Sequence, residues 1–405
     1  MLSPEIRALV KSTAPVLHTH GKALTTHFYA RMFRHNPELK QIFNQGHQQG
    51  GQQQQALATA VAAYAEHIDD PSVLAPVVTR IVHKHVSLGI RAEHYAIVGK
   101  HLLASIREVL GEAATDELID AWAAAYGQLA DLLIAEESRL YAESATKEGG
   151  WTGWRAFRID RKVPESTEIT SFYLVPADGG TVPDYRPGQY ISLRVYVPEL
   201  GLMQPRQYSL SDAPGQGHLR ISVKREDGVN GAPAGSVSNV LHQRMNEGDV
   251  VDLAPPQGDF MLDDQRDAPV VLLSGGVGLT PMVSMLNYLV ARDDGRQIRF
   301  VHACRDSSVH AMKQHVNAVA QSRPNVRKFV YYEAIGAQDQ PGIDYDYAGR
   351  IDLHAIREAA VLPDADYYLC GPLPFMREQR RALVELGVPL HRIHAEAFGT
   401  GGPGE

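Results

Sequence analysis

Apolar side chains recur every three or four positions along residues 1–147 of the chain. One stripe runs through Leu57, Val61, Tyr64 and Ile68, and similar stripes occur before and after it. This spacing gathers the apolar groups on one face of a helix. A strand-like alternation of apolar and polar residues is not seen here. The pattern therefore predicts an all-α bundle over residues 1–147.

The pattern changes after Gly149-Gly150 to short β segments that are separated by glycine and proline turns. The strand candidates are 156–159, 169–174, 189–193 and 219–223. Strands at this spacing are typical of an antiparallel barrel. We therefore predict an antiparallel β-barrel domain over residues 151–262.

Residues 263–405 have a third pattern. The run Val270–Leu273 is continuously apolar, as a buried parallel strand would be, and a glycine loop and an apolar helical stretch follow it. Three further strand candidates, 298–302, 328–332 and 366–369, alternate with helical segments. The alternation predicts a doubly wound α/β domain, which makes the chain a multidomain protein.

One apolar window, Val270 to Val290, is about long enough to cross a bilayer. It is broken in its middle by Ser274-Gly275-Gly276 and by Thr280-Pro281. A strand, a turn and a buried helix explain such a window better than a membrane span. We expect no integral membrane segment.

Composition narrows the class of protein. The chain has 405 residues, of which 44% are apolar and 21% charged, so each domain can bury a core. A net charge of −8 and the lack of a basic run argue against a nucleic-acid partner. Cys304 and Cys370 lie too far apart in sequence for a disulfide framework or a zinc motif. With no signal-peptide pattern at the N-terminus, we expect a cytoplasmic protein.

The helical part contains a candidate haem ligand. His85 lies on a stripe with Ile81 and Leu88, where an imidazole could reach iron beside an apolar slot. His83 cannot share that role, because residues two apart on a helix point in different directions. The alternative is an ordinary bundle with a core histidine and no cofactor.

The barrel region contains a candidate flavin strand, Arg206-Gln207-Tyr208-Ser209. Tyr208 can stack on a flat ring, Arg206 can bind a pyrophosphate, and Ser209 can donate a hydrogen bond near the reactive nitrogen. The segment Gly235-Ser236-Val237-Ser238-Asn239 places small residues at a helix start, where backbone N–H groups can bind phosphate.

The α/β region contains a candidate nicotinamide loop, Gly275 to Pro281. Its glycines would let the backbone reach a pyrophosphate, although it is not the G-x-G-x-x-G fingerprint. Cys370-Gly371-Pro372 follows a later strand candidate.

Taken together, these segments resemble the flavohaemoglobins. The helical part matches through Phe28-Tyr29, through the glutamine run that starts at Gly50-Gly51, and through the segment 83–89. The resemblance implies that His85 is the proximal haem ligand and that Lys84 bridges haem and flavin. It also implies a distal pocket of Tyr29, Gln53 and Leu57, and a proximal pair of Tyr95 and Glu137. Glu136 remains the alternative carboxylate.

The rest of the chain resembles the ferredoxin–NADP⁺ reductase superfamily, with a terminal Glu-x-Phe-Gly pattern at Glu396 to Gly399. The FAD-binding residues that it implies are Tyr190, Arg206, Gln207, Tyr208, Ser209, Ser238, Glu396, Phe398 and Gly399. The NAD(P)H-binding residues that it implies are Gly275, Gly276, Val277, Gly278, Leu279, Thr280, Cys370, Gly371 and Pro372. The implied domains are a globin (1–147), an FAD-binding barrel (151–262) and an NAD(P)H-binding domain (263–405).

The resemblance implies haem b, FAD and NAD(P)H as cofactors. It also implies a nitric oxide dioxygenase that turns NO and O₂ into nitrate, with Tyr29 donating a hydrogen bond to the oxygen substrate. We expect a monomer. Two other functions remain open, an oxygen store or sensor with a reductase that maintains its haem, and a general NAD(P)H diaphorase. The choice between NADH and NADPH also remains open.

Overall fold

The computed structural model describes residues 2–46, 50–228 and 233–398. Its contacts divide the chain into two compact units. The first unit comprises Met1–Arg155, Ser192–Arg206 and Leu253–Asp259. The second comprises Ala156–Ile191, Gln207–Asp252 and Phe260–Glu405. Two segments from the predicted barrel region therefore cluster with the N-terminal helices.

The first unit is built mainly from α-helices, as the apolar spacing predicts. Their bounds are Pro4–Ser12 (α1), Ala14–His35 (α2), Gln52–Glu66 (α3), Ala75–Leu88 (α4), Ala92–Leu110 (α5) and Asp116–Thr146 (α6). Short 3₁₀ turns lie at Pro37–Gln41, Pro71–Leu74 and Gly111–Ala113. Ser3 caps α1, because its hydroxyl accepts a hydrogen bond from the Ile6 N–H. Gly89 ends α4 with a φ of 76°, a left-handed conformation that glycine adopts without strain.

Helix α6 is the one helix in the described residues that is long and apolar enough to cross a membrane. It packs against α1, α4 and α5 of the same bundle. Its buried face includes Trp122, Leu133 and Glu137. A core helix can hold a buried carboxylate that is hydrogen-bonded within the bundle, whereas a helix that faces lipid cannot.

An antiparallel sheet follows the helices. Its strands are Arg155–Pro164 (β1), Ile169–Pro176 (β2), Tyr190–Val197 (β3), Leu202–Ser209 (β4), Leu219–Lys224 (β5) and Val250–Leu253 (β6). The order β4-β3-β6-β1-β2-β5 puts β4 and β5 at opposite ends of the sheet. Leu210, just beyond β4, bridges Ile221 of β5, so the sheet closes on itself. Helix Ser236–Gln243 (α7) lies between β5 and β6.

A parallel sheet forms the remaining part. Its strands are Val270–Gly275 (β7), Ile298–Cys304 (β8), Val326–Tyr332 (β9), Tyr347–Ala348 (β10), Asp366–Cys370 (β11) and Ile393–Glu396 (β12). The helices are Leu279–Ala291 (α8), Lys313–Ser322 (α9), Arg357–Ala360 (α10) and Leu373–Glu385 (α11). Separate apolar clusters cover the two faces of the sheet. The doubly wound arrangement is confirmed, and the window 270–290 is a strand, a turn and a buried helix.

The order β10-β9-β8-β7-β11-β12 reverses direction between β7 and β11. In open parallel sheets, ligands bind beyond the carboxyl ends of the strands at such a switch point. The glycine loop follows β7 and Cys370-Gly371-Pro372 follows β11. The topology therefore brings both candidate nicotinamide segments to one crevice.

Candidate functional site

His85 lies near the end of α4, and its ring nitrogen Nδ1 is hydrogen-bonded within the bundle. Nδ1 lies 2.8 Å from Oε1 of Glu137 and 3.0 Å from the hydroxyl of Tyr95. A carboxylate can only accept, so Nδ1 carries a proton, and the lone pair of the neutral imidazole is then on Nε2. In the described parts of the chain, no polar group bonds Nε2. This is the tautomer that a metal-ligating histidine needs.

Glu137 is the carboxylate at His85, and it is only 2% exposed. The Tyr95 hydroxyl also donates a hydrogen bond to its Oε1. Burial, followed by the nearby Glu137 carboxylate, raises the pKa of Tyr95 well above its usual range, so the hydroxyl remains a donor. Glu136 instead faces the surface, where its Oε2 accepts from Arg139 Nε at 3.1 Å.

The surroundings of His85 fit a haem. Several apolar side chains of the helical part remain only partly buried although they pack against its two core clusters, namely Phe33, Phe43, Leu57, Val61, Ile81, Val98 and Leu129. Partly exposed apolar side chains of this kind are what a flat apolar group covers when it binds. A neutral imidazole with a free Nε2 beside such side chains is the donor set that haem iron uses in globins.

Tyr29 and Gln53 are in contact, as the predicted distal pocket requires. The Gln53 side chain hydrogen-bonds the Tyr29 hydroxyl, while burial raises the tyrosine pKa well above its usual range. The contact places the Gln53 amide directly beside the phenolic oxygen. Leu57, one turn after Gln53 on α3, packs on the same apolar cluster.

Aromatic rings hold Tyr29 in place. Phe28 and Phe43 meet it edge-on, with ring centroids 4.9 and 5.7 Å away, and Phe33 stacks on it at 5.8 Å. Sequence reasoning missed Phe43, because it lies in the irregular segment before α3, where no helical stripe points to it. Its role depends on a long-range contact.

The candidate flavin strand is the second half of β4. Ser209 is buried, Arg206 and Tyr208 are half-buried, and Gln207 is exposed. Tyr190 begins the neighbouring strand β3. This strand fits a flavin nucleotide. Its guanidinium suits the anionic phosphates, its aromatic ring suits the flat ring system, and its hydroxyl suits the polar ring edge.

The start of α7 offers a separate phosphate cradle. Gly235 caps this helix, and a side chain there would lie 2.7 Å from Ser238 Oγ and 2.8 Å from Glu226 Cβ. Ser238 is buried, with its hydroxyl 3.2 Å from the Gly235 carbonyl. The tight backbone and the positive end of the helix dipole suit an anion.

The glycine loop and the Cys370 turn touch directly. A Cβ on Gly278 would lie 2.2 Å from the Cys370 carbonyl oxygen, and one on Gly275 would lie 3.2 Å from the Phe375 ring. Close backbone approach therefore requires glycine at 278, whereas Gly275 is packed tightly by side chains. Gly276, Val277, Leu279 and Thr280 complete the loop between β7 and α8, and Gly371 and Pro372 complete the turn. This glycine-lined crevice fits a dinucleotide.

Glu396 lies beside Cys370 in the register of β12 and β11. Burial, with Glu396 as the next cause, raises the pKa of the Cys370 thiol well above its usual value, so Cys370 is an inert thiol. Phe398 is 44% exposed. Gly399 lies outside the described residues. Lys84 is half-buried beside His85 on α4.

Comparison with known proteins agrees with this geometry. Residues 26–133 match the Globin family and residues 272–381 match the Oxidoreductase NAD-binding domain. A "Flavohemoprotein" of Bordetella parapertussis is 77% identical over 403 residues, which cover 99% of this chain and 100% of the relative.

Solved structures agree as well. A flavohemoglobin from Malassezia yamatoensis, determined with bound FAD and heme, is 28% identical, with a TM-score of 0.85 over 98% of this chain and 100% of that one. The FAD/NAD-binding domain of a nitric oxide dioxygenase from Vibrio cholerae is 39% identical, with a TM-score of 0.55 over 60% of this chain and 98% of that one. The predicted fold class is confirmed. The chain belongs to the flavohaemoprotein family and is an NAD-binding oxidoreductase with an N-terminal globin.

Proposed function

We propose that the protein is a nitric oxide dioxygenase that combines NO with O₂ to give nitrate, using electrons from NAD(P)H. Its cofactors are haem, which we take to be haem b, FAD and NAD(P)H. The observation that carries the proposal is the buried carboxylate of Glu137 on the Nδ1–H of His85. The similarity to the Vibrio cholerae nitric oxide dioxygenase domain supports it.

The contact between Glu137 and His85 favours oxygen chemistry over oxygen carriage. A carboxylate on the far side of an imidazole increases its electron donation through Nε2. Glu137 is buried and accepts from both His85 and Tyr95, so its negative charge is held at the ring. Strong electron donation from the protein ligand to haem iron promotes activation of O₂. A store has no need for this arrangement.

Tyr29 supplies the donor that an anionic oxygen species needs. The Gln53 side chain hydrogen-bonds the Tyr29 hydroxyl, and burial raises the pKa of Tyr29, so the hydroxyl stays protonated at physiological pH. A fixed hydroxyl dipole in a site that excludes water stabilises developing negative charge without reorganisation. We assign Tyr29, Gln53 and Leu57 to the side of the haem opposite His85.

The reductase module supports continuous turnover. Bound FAD would link a two-electron hydride donor, NAD(P)H, to a one-electron acceptor, haem iron. We assign FAD to Tyr190, Arg206 to Ser209, Ser238, Glu396, Phe398 and Gly399. We assign NAD(P)H to Gly275 to Thr280 and Cys370 to Pro372, and we place Lys84 between haem and flavin.

We further propose that the chain acts as a cytoplasmic monomer with domains 1–147, 151–262 and 263–405. The two free cysteines are buried, which suits a reducing compartment. The net charge of −8 gives nucleic acid no attractive surface.

The test is product analysis of the purified holoprotein under air with NADH and NO. We expect NO and O₂ to disappear together while nitrate accumulates. His85→Ala should abolish this reaction and the Soret band while keeping flavin absorbance. NO consumption without nitrate, or at the rate of the His85→Ala variant, would overturn the proposal in favour of a diaphorase. Little turnover with either gas would indicate a store.

Tyr29→Phe tests the distal assignment. It should bind O₂ more weakly and remove NO more slowly at low oxygen, because the donor is lost. Tyr64→Phe is the matched control, since Tyr64 is also buried and donates its hydroxyl to the Ala125 carbonyl at 3.0 Å. It should leave NO removal unchanged.

A further inference from the structure

Two buried glutamines belong to barrel segments that cluster with the helices in the first compact unit. Gln204 on β4 lies in Ser192–Arg206, and Gln257 lies in Leu253–Asp259, just after β6. They are 0% and 3% exposed. A buried primary amide is costly unless both of its ends are hydrogen-bonded, so their partners show which segments they join.

Gln257 bonds to the helix that carries His85. Its Oε1 lies 2.9 Å from His83 Nδ1, and its Nε2 donates to Ser144 Oγ at 3.1 Å. The backbone N–H of Gly258 also points at His83 Nδ1, at 3.3 Å. Oε1 accepts when Nδ1 carries the proton, and in the other tautomer Nδ1 accepts from Gly258. His83 therefore serves as a docking point for this loop.

Gln204 makes the corresponding contact with the segment before α3. Its Oε1 accepts from the Gln45 N–H at 3.1 Å, and its Nε2 donates to the Lys40 carbonyl at 3.3 Å. Phe43 lies between these two residues in sequence and packs edge-on against Tyr29. Gln204 thus ties β4 to the segment that supports Tyr29.

Gln204 itself, and the partner of Gln257, are each close in sequence to a group of the electron path. Gln204 precedes Arg206 by two residues on β4, and His83 precedes His85 by two residues on α4. We propose that Gln204 and Gln257 are positioning residues that dock the flavin-bearing barrel onto the two sides of the haem pocket, so that electrons pass from flavin to haem. The proposal rests on the cofactor assignments of the proposed function.

The physical reason is geometric. Electron transfer between two cofactors depends on their fixed separation, and a small displacement of reacting groups is enough to cost much of a rate. Undocking gives up the contacts of Gln257 with His83 and Ser144 or those of Gln204 with Gln45 and Lys40, so each glutamine favours the docked arrangement. Neither residue touches the proposed ligand atoms, and neither should affect the entry of electrons from NADH into flavin.

The test compares two rates in the holoprotein without oxygen. One is the reduction of haem by NADH, followed at the Soret band, and the other is the reduction of ferricyanide, which takes electrons from flavin directly. The variants are Gln257→Leu, His83→Leu and Gln204→Leu. Gln379→Leu is the matched control, because Gln379 is also buried and its amide donates to the Ile351 carbonyl within the α/β part.

In Gln257→Leu, His83→Leu and Gln204→Leu, we expect haem to be reduced about tenfold more slowly, which is the effect expected from the loss of one buried hydrogen bond. Ferricyanide reduction should stay unchanged, and so should both rates in Gln379→Leu. Hydrogen exchange at the Gly258 amide should become faster in Gln257→Leu and His83→Leu, which reports undocking without any turnover. His83→Asn should restore both haem reduction and slow exchange, since its side-chain amide can replace the imidazole as the partner of Gln257 and Gly258.

Haem reduction at the wild-type rate in variants with faster Gly258 exchange would overturn the proposal. An equal loss of both rates in all the leucine variants, with Gln379→Leu included, would also overturn it, because that result indicates general destabilisation. Failure to form nitrate would count against the proposed function alone, since haem reduction is measured here without NO.

Discussion

Glu137 accepts a hydrogen bond from Nδ1 of His85 at 2.8 Å, across 52 residues of sequence. The contact gives the imidazole one defined tautomer and presents Nε2 to the apolar slot. It also pairs an acid that would otherwise be costly to bury on α6. Stability and chemistry thus require the same hydrogen bond.

Glu137→Gln should keep haem but lower the Fe–His stretching frequency. A neutral amide accepts a weaker hydrogen bond than a carboxylate, so the imidazole donates less strongly to iron. Resonance Raman spectroscopy of the ferrous protein measures this frequency. Glu136→Gln is the control, because Glu136 pairs with Arg139 at the surface. A normal frequency in Glu137→Gln would mean that the carboxylate does not act on the iron ligand.

Gly278→Ala should block use of the nicotinamide while keeping FAD. The added Cβ would lie 2.2 Å from the Cys370 carbonyl oxygen and 2.5 Å from its carbon, so the loop or the turn must shift. We expect kcat/KM for NADH to fall on the order of 10²-fold, as a displacement of about 1 Å can cause.

Gly295→Ala is the matched control for Gly278→Ala. Nothing lies within 4 Å of a Cβ at Gly295, which precedes β8 in the same part of the chain. Steady-state assays with NADH and ferricyanide compare the two variants. Equal kcat/KM values in both would show that the contact between Gly278 and Cys370 does not shape the nicotinamide site.

His302 should make the protein less stable in mild acid. Burial lowers its pKa from 6.5 to about 4 in the folded state, where its Nδ1 lies 2.9 Å from Ser274 Oγ. Between those values the unfolded chain binds more protons than the folded one, so stability rises with pH. The stabilisation is fully present above about pH 6.5 and is lost as the pH falls toward 4, by at most about 3 kcal/mol.

Urea unfolding of wild type and His302→Gln at pH 7.5 and pH 4.5 measures this effect. Wild type should lose more free energy of unfolding than the variant over that interval. The neighbouring His310, whose ring lies 5.2 Å away and whose pKa burial also lowers, contributes to both proteins. Equal losses of the free energy of unfolding in wild type and His302→Gln would rule out a buried neutral His302.

Residues 151–405 should fold alone and reduce ferricyanide with NADH. Both sheets and all the proposed FAD and nicotinamide residues lie in this fragment. It should be less stable than the same part of the full chain, because Gln204 and Gln257 lose their helical partners. In the fragment, Arg206→Ala should weaken FAD retention by removing a charged phosphate contact. A folded fragment that cannot bind FAD would refute the domain division.

Much of this architecture was predictable from local pattern. The stripe through Leu57, Val61 and Tyr64 is a helix, and the run Val270–Leu273 is a buried strand. A glycine loop after a strand and a polar group on an apolar stripe are also local signals. Gly278 and His85 could be selected on that basis together with the family resemblance. For each of them, the residues nearest in sequence indicate the kind of site: a glycine loop after a strand for Gly278, and an apolar helical stripe for His85.

Pairings across the chain were decided only by the tertiary structure. Glu136 and Glu137 are adjacent on α6, and packing turns one to solvent and the other to His85. His83 was set aside as an iron ligand, and nothing in its neighbourhood indicated Gln257, 174 residues away. Periodicity reports which face of an element is buried, since it depends on consecutive residues. The partner that a buried polar group meets depends on how distant elements pack, and that is settled only when the whole chain has folded.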